Sequence, residues 1–395
     1  MTSISTTYSW KKLSPDDGFH YFFGYYDRNP WNDAMTKHLA LKVAQCSRLP
    51  ERGETAEIGC FDRAGNWSPL VTTRAWCHQQ GSMELFLPGR GDTFIYNDYD
   101  EPNDRIVTRI FNSESKTIVG QYDSPVYAIS PDGNWAVSLN FARIPRRGYS
   151  YADAVLSTDF HPKDLDAEGL TLVNLKTAEC KLIVSYRTML ERHPYAFTCE
   201  NKYIWLNHAI FNCDSTRILW LFRQTLDPLK PSGWQTFMFT CGLTGEDAEC
   251  TLSDAYWSNN KISHQIWGRE PNQILIDAAW DETGHHVVVY DDSVRPFKAK
   301  KLADSHGSYA HMVFSKDGKY VLADSYPDTD KMQTLALIEA DTGKMDILGR
   351  FRHIPDDPWI GDTRCDLHPR WSNDGKTITV DSYHDGKRAL WLLNL

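Results

Sequence analysis

Long helical periodicity is almost missing from this chain, and the one segment with helical character is the short Tyr186–His193. Gly, Pro, Asn and Asp instead punctuate strand-forming residues at short intervals, which excludes an all-helical fold. No apolar run approaches membrane-spanning length, so no membrane partner is expected. Excess positive charge is absent too: 42 Lys and Arg face 52 Asp and Glu, for a formal charge of −10. That argues against a general nucleic-acid binder, which needs clustered cations, but leaves room for a local basic pocket for an anion. The 9 cysteines are odd in number and follow no repeating framework. A reducing compartment with mostly buried thiols is the simplest reading. The opening MTSISTTYSWKK has neither a basic start nor an apolar core. A cytoplasmic protein is therefore expected, or a secreted or periplasmic one if a leader has been removed. No linker or low-complexity tract interrupts the chain, so residues 1–395 are expected to form one domain, as a monomer or small homo-oligomer.

What is present is a phrase repeated seven times, a polar turn followed by apolar and β-branched residues. The copies are His38–Val43, Asp92–Asp98, Gly133–Asn140, Thr216–Phe222, Asn272–Ala278, Gly318–Ser325 and Gly375–Ser382. Three open on the same turn: Ser130-Pro-Asp-Gly133, Ser315-Lys-Asp-Gly318 and Ser372-Asn-Asp-Gly375. Asp-Gly marks a tight turn because glycine takes the positive φ it requires. A sheet unit recurring every ~40–60 residues predicts four-stranded antiparallel blades, hence an all-β, seven-bladed β-propeller. With 41% hydrophobic and 13% aromatic residues, the chain can fill such a core. The strand-like end Ala389–Leu395 fits ring closure in which the N-terminal region completes the last blade. The longest gap, Ile144 to Asn201, predicts an ordered loop over one propeller face.

Histidines recur at matched points beside the repeats. His208 precedes the fourth hairpin and His264 the fifth, while His311 lies four residues before Ser315 and His368 four before Ser372. Equivalent positions on successive blades face the central channel, so four imidazoles are expected to converge. A lone histidine beside a turn is more often structural; recurrence is what points to a site. Cys365-Asp-Leu-His368 adds a thiol three residues from an imidazole. His311, Cys365 and His368 therefore form a candidate metal site, catalytic or structural, its soft donors favouring zinc over manganese or calcium.

Other constellations carry pocket chemistry. Trp76-Cys77-His78-Gln79-Gln80-Gly81 packs polar side chains where a strand would alternate. Asn140-Phe-Ala-Arg143 ends a strand with a guanidinium, followed by Arg146, Arg147, Tyr149 and Tyr151. Tyr25, Tyr26 and Asp27 stand beside a Pro-Trp turn, and Arg223 follows an apolar strand. Aromatics often fill blade interfaces and strand-end arginines are often solvated. In combination, guanidinium, phenol and imidazole suit a sugar acid, since aromatic planes stack on sugar rings and arginine clamps carboxylates.

The phrases FFGYYDRNPW, AWCHQQGSM, SPVYAISPDGNWAVSLNFARI, NHAIF, SHQIW, ADSYPD and RCDLHPRWSNDGKTITVDSYHDGKR resemble a family of seven-bladed propellers related to polysaccharide lyases. Its members include ulvan lyases, rhamnose–glucuronate lyases and, more distantly, oligogalacturonate lyase. In the last of these, a Gln-x-x-His-Pro-His pattern in the final blade helps hold a divalent metal. Here His368 matches a ligand, Cys365 replaces the glutamine and Arg370 replaces a histidine, while His311 matches the ligand of the preceding blade. The resemblance implies a lyase acting on an acidic oligo- or polysaccharide, cleaving a 1,4 link to a hexuronic acid by β-elimination.

That chemistry needs a carboxylate neutraliser, a base for the C5 proton and an acid for the departing O4. Arg143 or Arg223 is expected to neutralise, His208 or His78 to act as base, and Tyr149 as acid or dual acid and base, with His264 in the same catalytic set. Tyr25, Tyr26, Gln79, Gln80, Asn140, Arg147 and Arg370 are the expected substrate contacts. Two alternatives stay open: a non-catalytic propeller binding glycan or protein, and a glycosidase such as a rhamnosidase.

Overall fold

Each of the seven repeats is the second strand of a blade. In the computed structural model, which describes residues 4–230, 233–251, 262–281, 284–304, 311–353 and 362–395, seven antiparallel sheets of four strands each form a β-propeller. The three Asp-Gly turns are near-copies. The serine hydroxyl reaches the aspartate carboxylate at 2.5, 2.7 and 2.6 Å, and the glycine φ values are +71°, +70° and +68°.

One backbone bond, 2.6–3.0 Å long, closes the corresponding turn of every blade: Asn32 to Lys37, Leu87 to Thr93, Ser130 to Trp135, Asn212 to Arg217, Gly268 to Gln273, Ser315 to Tyr320 and Ser372 to Thr377. These bonds give a common register. Four residues before each donor stand Arg28, Met83, Val126, His208, His264, His311 and His368.

Closure uses the N-terminal region twice. Lys11–Lys12 pairs with Ala389–Asn394 as the outer strand of blade seven, and Ile4–Ser5 adds a fifth strand to blade six. This covers edges that would otherwise template pairing with another chain.

The segment from Ile144 to Asn201 is less of a loop than its composition predicts. It contains Gly169–Asn174 and Cys180–Ser185, the two outer strands of blade three, and the helix Tyr186–Arg192. The stretch of irregular chain is therefore shorter, from Ile144 to Glu168. Ser185 caps the helix by accepting from the Thr188 N–H, which satisfies one of its orphan donors. The core is continuous between blades: Trp205, Trp220, Phe222 and Phe239 of blade four, with Ile274, Leu275, Val287 and Val288 of blade five, belong to one buried cluster.

Candidate active site

Three of the four converging imidazoles sit where the innermost strand slips or the backbone turns left-handed. The pairing of Tyr203–Phe211 with its neighbour slips between Asn207 and Ile210, and His208 within the slip has φ +53°. The innermost strand of blade five, Ile262–Trp267, slips between Ser263 and Ile266, with His264 at φ +52°. His368 has φ +43° just before the innermost strand of blade seven. A bulge re-aims a side chain out of the pleat, and a left-handed non-glycine residue costs about 1–3 kcal/mol, a cost that concentrates at functional sites.

The result is a compact aromatic cluster. Ring centroids of His264 and His311 are 4.1 Å apart, and those of His311 and His368 are 4.4 Å apart. Tyr25 lies 4.8 Å from His368 and 5.5 Å from His208, and Tyr26 lies 5.1 Å from His311. Both tyrosines come from the loop that follows the first strand of blade one. Gly24 opens that loop at φ +135°, where a Cβ would stand 2.8 Å from the Gln80 carbonyl carbon.

Hydrogen bonds fix which ring nitrogens carry protons, since a carbonyl can only accept. The His208 Nε2–H donates to the Gln265 carbonyl at 2.5 Å, leaving Nδ1 buried and without a partner among the described residues. The His368 Nδ1–H donates to the Gly24 carbonyl at 2.8 Å, leaving Nε2 in the same condition. His311 Nδ1 lies 2.8 Å from the Asp324 carboxylate, which presents its Nε2 as the lone pair. The Tyr26 hydroxyl is also buried without a partner among the described residues. Burial holds the His208, His264 and His368 imidazoles below their ordinary 6.5, so all three are neutral at pH 7. Burial likewise pushes the Tyr25 and Tyr26 phenols up. Buried polar atoms are nearly always paired, so unpartnered ones gathered in one place mark a site that something else completes.

One His/Asp group among the described residues has the spacing of a metal centre: His311, Asp366 and His368, with ligand atoms within 4.8 Å of one another. The Cys365 thiol stands outside this group, which corrects the ligand set expected from sequence. Asp366 pairs with Arg364 and lies 3.9 Å from His368 Nε2, whereas the Cys365 thiol is buried near Cys46 and Arg388. Burial pushes this thiol far above the ordinary value, away from the thiolate a metal requires. With the thiol gone, the soft-donor argument for zinc goes too.

Asp366 is the better ligand. Burial pushes its carboxyl up, but the Arg364 guanidinium, bonded to both oxygens at 2.6 and 2.8 Å, overrides this and holds it at about 2. Arg364 also lies 4.0 Å above the Tyr326 ring, whose hydroxyl is 3.4 Å from His264 Nε2. Two bare imidazole nitrogens and an ionised carboxylate fit a divalent cation with open coordination positions.

A second arm carries positive charge. Arg223 approaches the Tyr149 hydroxyl at 3.5 Å, and its charge also acts on Tyr25 and His208. The Arg223 Nε is buried without a partner among the described residues. Arg147 pairs with Asp362 at 2.5 Å, and both arginines lie over Trp234, at 4.9 and 5.5 Å from its ring centre. Gln79 donates to the Arg364 carbonyl at 2.9 Å, and Gln80 to the Tyr127 hydroxyl at 2.8 Å.

Four other residues singled out in the sequence have structural partners. The His78 ring bonds the Arg48 carbonyl at 2.7 Å and packs on Trp76. Arg143 is 2% exposed and donates to the carbonyls of Asp159, Phe160 and Ile204, with Tyr203 4.6 Å below it. Arg370 pairs with buried Asp381 at 2.6 Å. Asn140 caps a short turn by accepting from Ala142 N–H, and lines a cavity of about 420 Å³ with Asp104, Asp123, Asp153 and Glu168. That lining has the wrong sign for an acidic glycan.

No family model matches the chain, and no curated protein matches it in sequence. Solved structures do resemble it. An oligogalacturonate lyase in complex with manganese superposes with a TM-score of 0.66 at 15% identity, covering 99% of this chain and 94% of that one. The oligogalacturonate lyase of Vibrio parahaemolyticus gives 0.63 at 11%, covering 99% and 96%. The tricorn protease gives 0.52 at 11%, covering 97% of this chain and 34% of that one. At such identities the likeness shows the fold alone.

Sequence reasoning passed over Asp366, Asp324, Tyr326, Arg364 and Trp234. For Asp366 a signal existed, since it is a carboxylate inside the Cys365–His368 motif. For Trp234, which reaches the arginines from a distant segment, no local pattern announces it.

Proposed function

We propose that the chain is a lyase that cleaves a 1,4 link to a hexuronic acid in an acidic oligo- or polysaccharide by β-elimination. The observation that carries this reading is the buried, unpartnered His208 Nδ1 among three further imidazoles, with Arg223 close enough to act on it. His208 is held neutral with its lone pair on Nδ1, the state a general base needs. It takes the C5 proton; the electron pair left behind forms the C4–C5 double bond as the C4–O4 bond breaks. The Tyr149 phenol, kept protonated by burial although Arg223 and Arg147 oppose this, gives its proton to the departing O4.

Arg223 is positioned to bind the substrate carboxylate and to lower the charge that builds on it as C5 loses its proton. His311, Asp366 and His368 would hold a divalent cation, a donor set that suits zinc as well as the manganese bound by the oligogalacturonate lyase of like fold, and it would supply Lewis-acid neutralisation of the same carboxylate. Arg147 and Trp234 give an adjoining sugar a cation and an aromatic plane.

The test is ultraviolet absorbance during incubation with a panel of uronic-acid glycans, with and without chelator. Elimination leaves a conjugated double bond that absorbs, and hydrolysis does not. A flat trace across the panel sinks the reading. A second reading, a propeller that only binds glycan, is favoured by one observation: Cys365 and Arg370, which stand where the lyase pattern has metal ligands, are committed to buried packing and the Asp381 pair. Glycan binding together with a flat trace would select it.

A further inference from the structure

We propose that Asp324 is a positioning residue whose single carboxylate sets the two imidazoles of the metal centre across a blade boundary; this rests on the metal reading above. Asp324 ends the second strand of blade six, Tyr320–Asp324, and is 2% exposed. Its Oδ1 accepts from the His311 peptide N–H and lies 2.8 Å from His311 Nδ1, and the peptide bond is also 2.8 Å. Its Oδ2 accepts the peptide N–H of His368, which belongs to blade seven, at 2.9 Å. The Asp324 N–H returns to the His311 carbonyl at 3.2 Å. A carboxylate has about four lone-pair sites, and three are used here, all on the two imidazole ligands.

Three consequences follow from this one group. The His311 proton is held on Nδ1, so Nε2 is the lone pair presented to a cation, and the adjacent negative charge makes that nitrogen a stronger donor. The His368 peptide is tethered at φ +43°, a left-handed conformation uncommon for any non-glycine residue. The two ligands, which arrive on separate blades, are tied to the two oxygens of one rigid carboxylate, so their separation does not follow small movements between the blades. A carboxylate that only filled a core position would have no reason to address both ligands and choose the tautomer of one.

Asp324→Asn keeps the shape but replaces one acceptor oxygen with a donor, so either His311 or the His368 peptide loses its partner. The probe is Mn²⁺ alone, followed by the paramagnetic resonance of the free ion, on wild type, Asp324→Asn and His368→Gln. Binding about 10- to 100-fold weaker in a folded Asp324→Asn protein is expected, the size seen when a ligand-orienting group is removed. His368→Gln should bind still more weakly. Imidazole nitrogen chemical shifts of metal-free wild type should show His311 protonated on Nδ1 and bare on Nε2, and the substitution should scramble this.

Unchanged affinity in folded Asp324→Asn, or the opposite His311 tautomer in wild type, overturns the proposal and leaves the metal reading standing. Wild type that binds no divalent cation overturns both. Should Asp324→Asn fail to fold, the wild-type tautomer still decides. Asp324→Glu, which keeps the charge and shifts it by one methylene, then supplies the affinity comparison.

Discussion

Replacing His208 with asparagine tests the proposed base with little disturbance to its surroundings. His208 holds φ +53°, a region that asparagine enters more readily than other non-glycine residues, so the bulge should persist. The asparagine amide can still donate toward the Gln265 carbonyl, while the bare nitrogen is lost. A positioned general base contributes about 10²–10⁴ in rate, or roughly 3–5 kcal/mol of barrier. Arg223 and Trp234 are untouched, so kcat should fall by that factor with KM nearly unchanged, the pattern of an interaction made in the transition state. The assay is the initial rate of ultraviolet absorbance on the glycan that wild type cleaves. The pH profile adds an independent check. Burial holds the imidazole below 6.5, so the base form persists as pH falls through 6.5 and the rate should decline only at lower pH. Asparagine retaining more than about a tenth of wild-type kcat, against the factor expected of a base, would refute the assignment. So would a wild-type rate that falls with an ordinary imidazole's midpoint.

Cys365→Ser should leave Mn²⁺ affinity unchanged, because the thiol points away from the His311, Asp366 and His368 group; a large loss in the same resonance titration would restore the thiolate as a ligand. His78→Gln should leave the rate of elimination near wild type while changing acid stability. Burial depresses the His78 imidazole from 6.5 to about 4, so the unfolded chain binds the extra proton first and stability is lost as pH falls between these values. That loss is worth roughly 3 kcal/mol, and urea melts above and below the window should show it in wild type and find it reduced in the variant. Gly24→Ala should destabilise the protein by more than about 1 kcal/mol, since alanine is strained at φ +135° and its Cβ meets Gln80. It should also weaken Mn²⁺ binding, because the Gly24 carbonyl holds the His368 Nδ1–H; a melt and a titration equal to wild type would contradict both.

The propeller was legible in the sequence because its information is local. An Asp-Gly turn and an alternating strand need only a few consecutive residues, and all seven repeats proved to be second strands. Blade three hid its outer strands because acidic, turn-rich chain separates them from the Gly133–Asn140 repeat. The convergence of imidazoles was legible for the same reason as the blades, a constant offset from the turn. Arg143 and His78 have the right chemistry for a site, yet the carbonyls and rings that claim them come from distant segments, Asp159 to Ile204 for one and Arg48 with Trp76 for the other. No spacing rule reports such partners.

The candidate metal ligands show where local reading stops. Cys365 and His368 look like a pair at a spacing of three, but the chain between them is not a strand, and His368 turns at φ +43°. The fold brings Asp366 within 4.8 Å of both imidazole ligand atoms, and the Arg364–Asp366 ion pair at 2.6 Å holds its carboxylate. What spacing cannot give is the state of each nitrogen. That depends on the Gly24 carbonyl from blade one, the Gln265 carbonyl from blade five and the Asp324 carboxylate from blade six. Three of the four imidazoles thus have their tautomer chosen by a residue of another blade or of the neighbouring strand. The ring must close before the chemistry exists, and a substitution such as Gly24→Ala, far from His368 in sequence, is expected to act on the site for that reason.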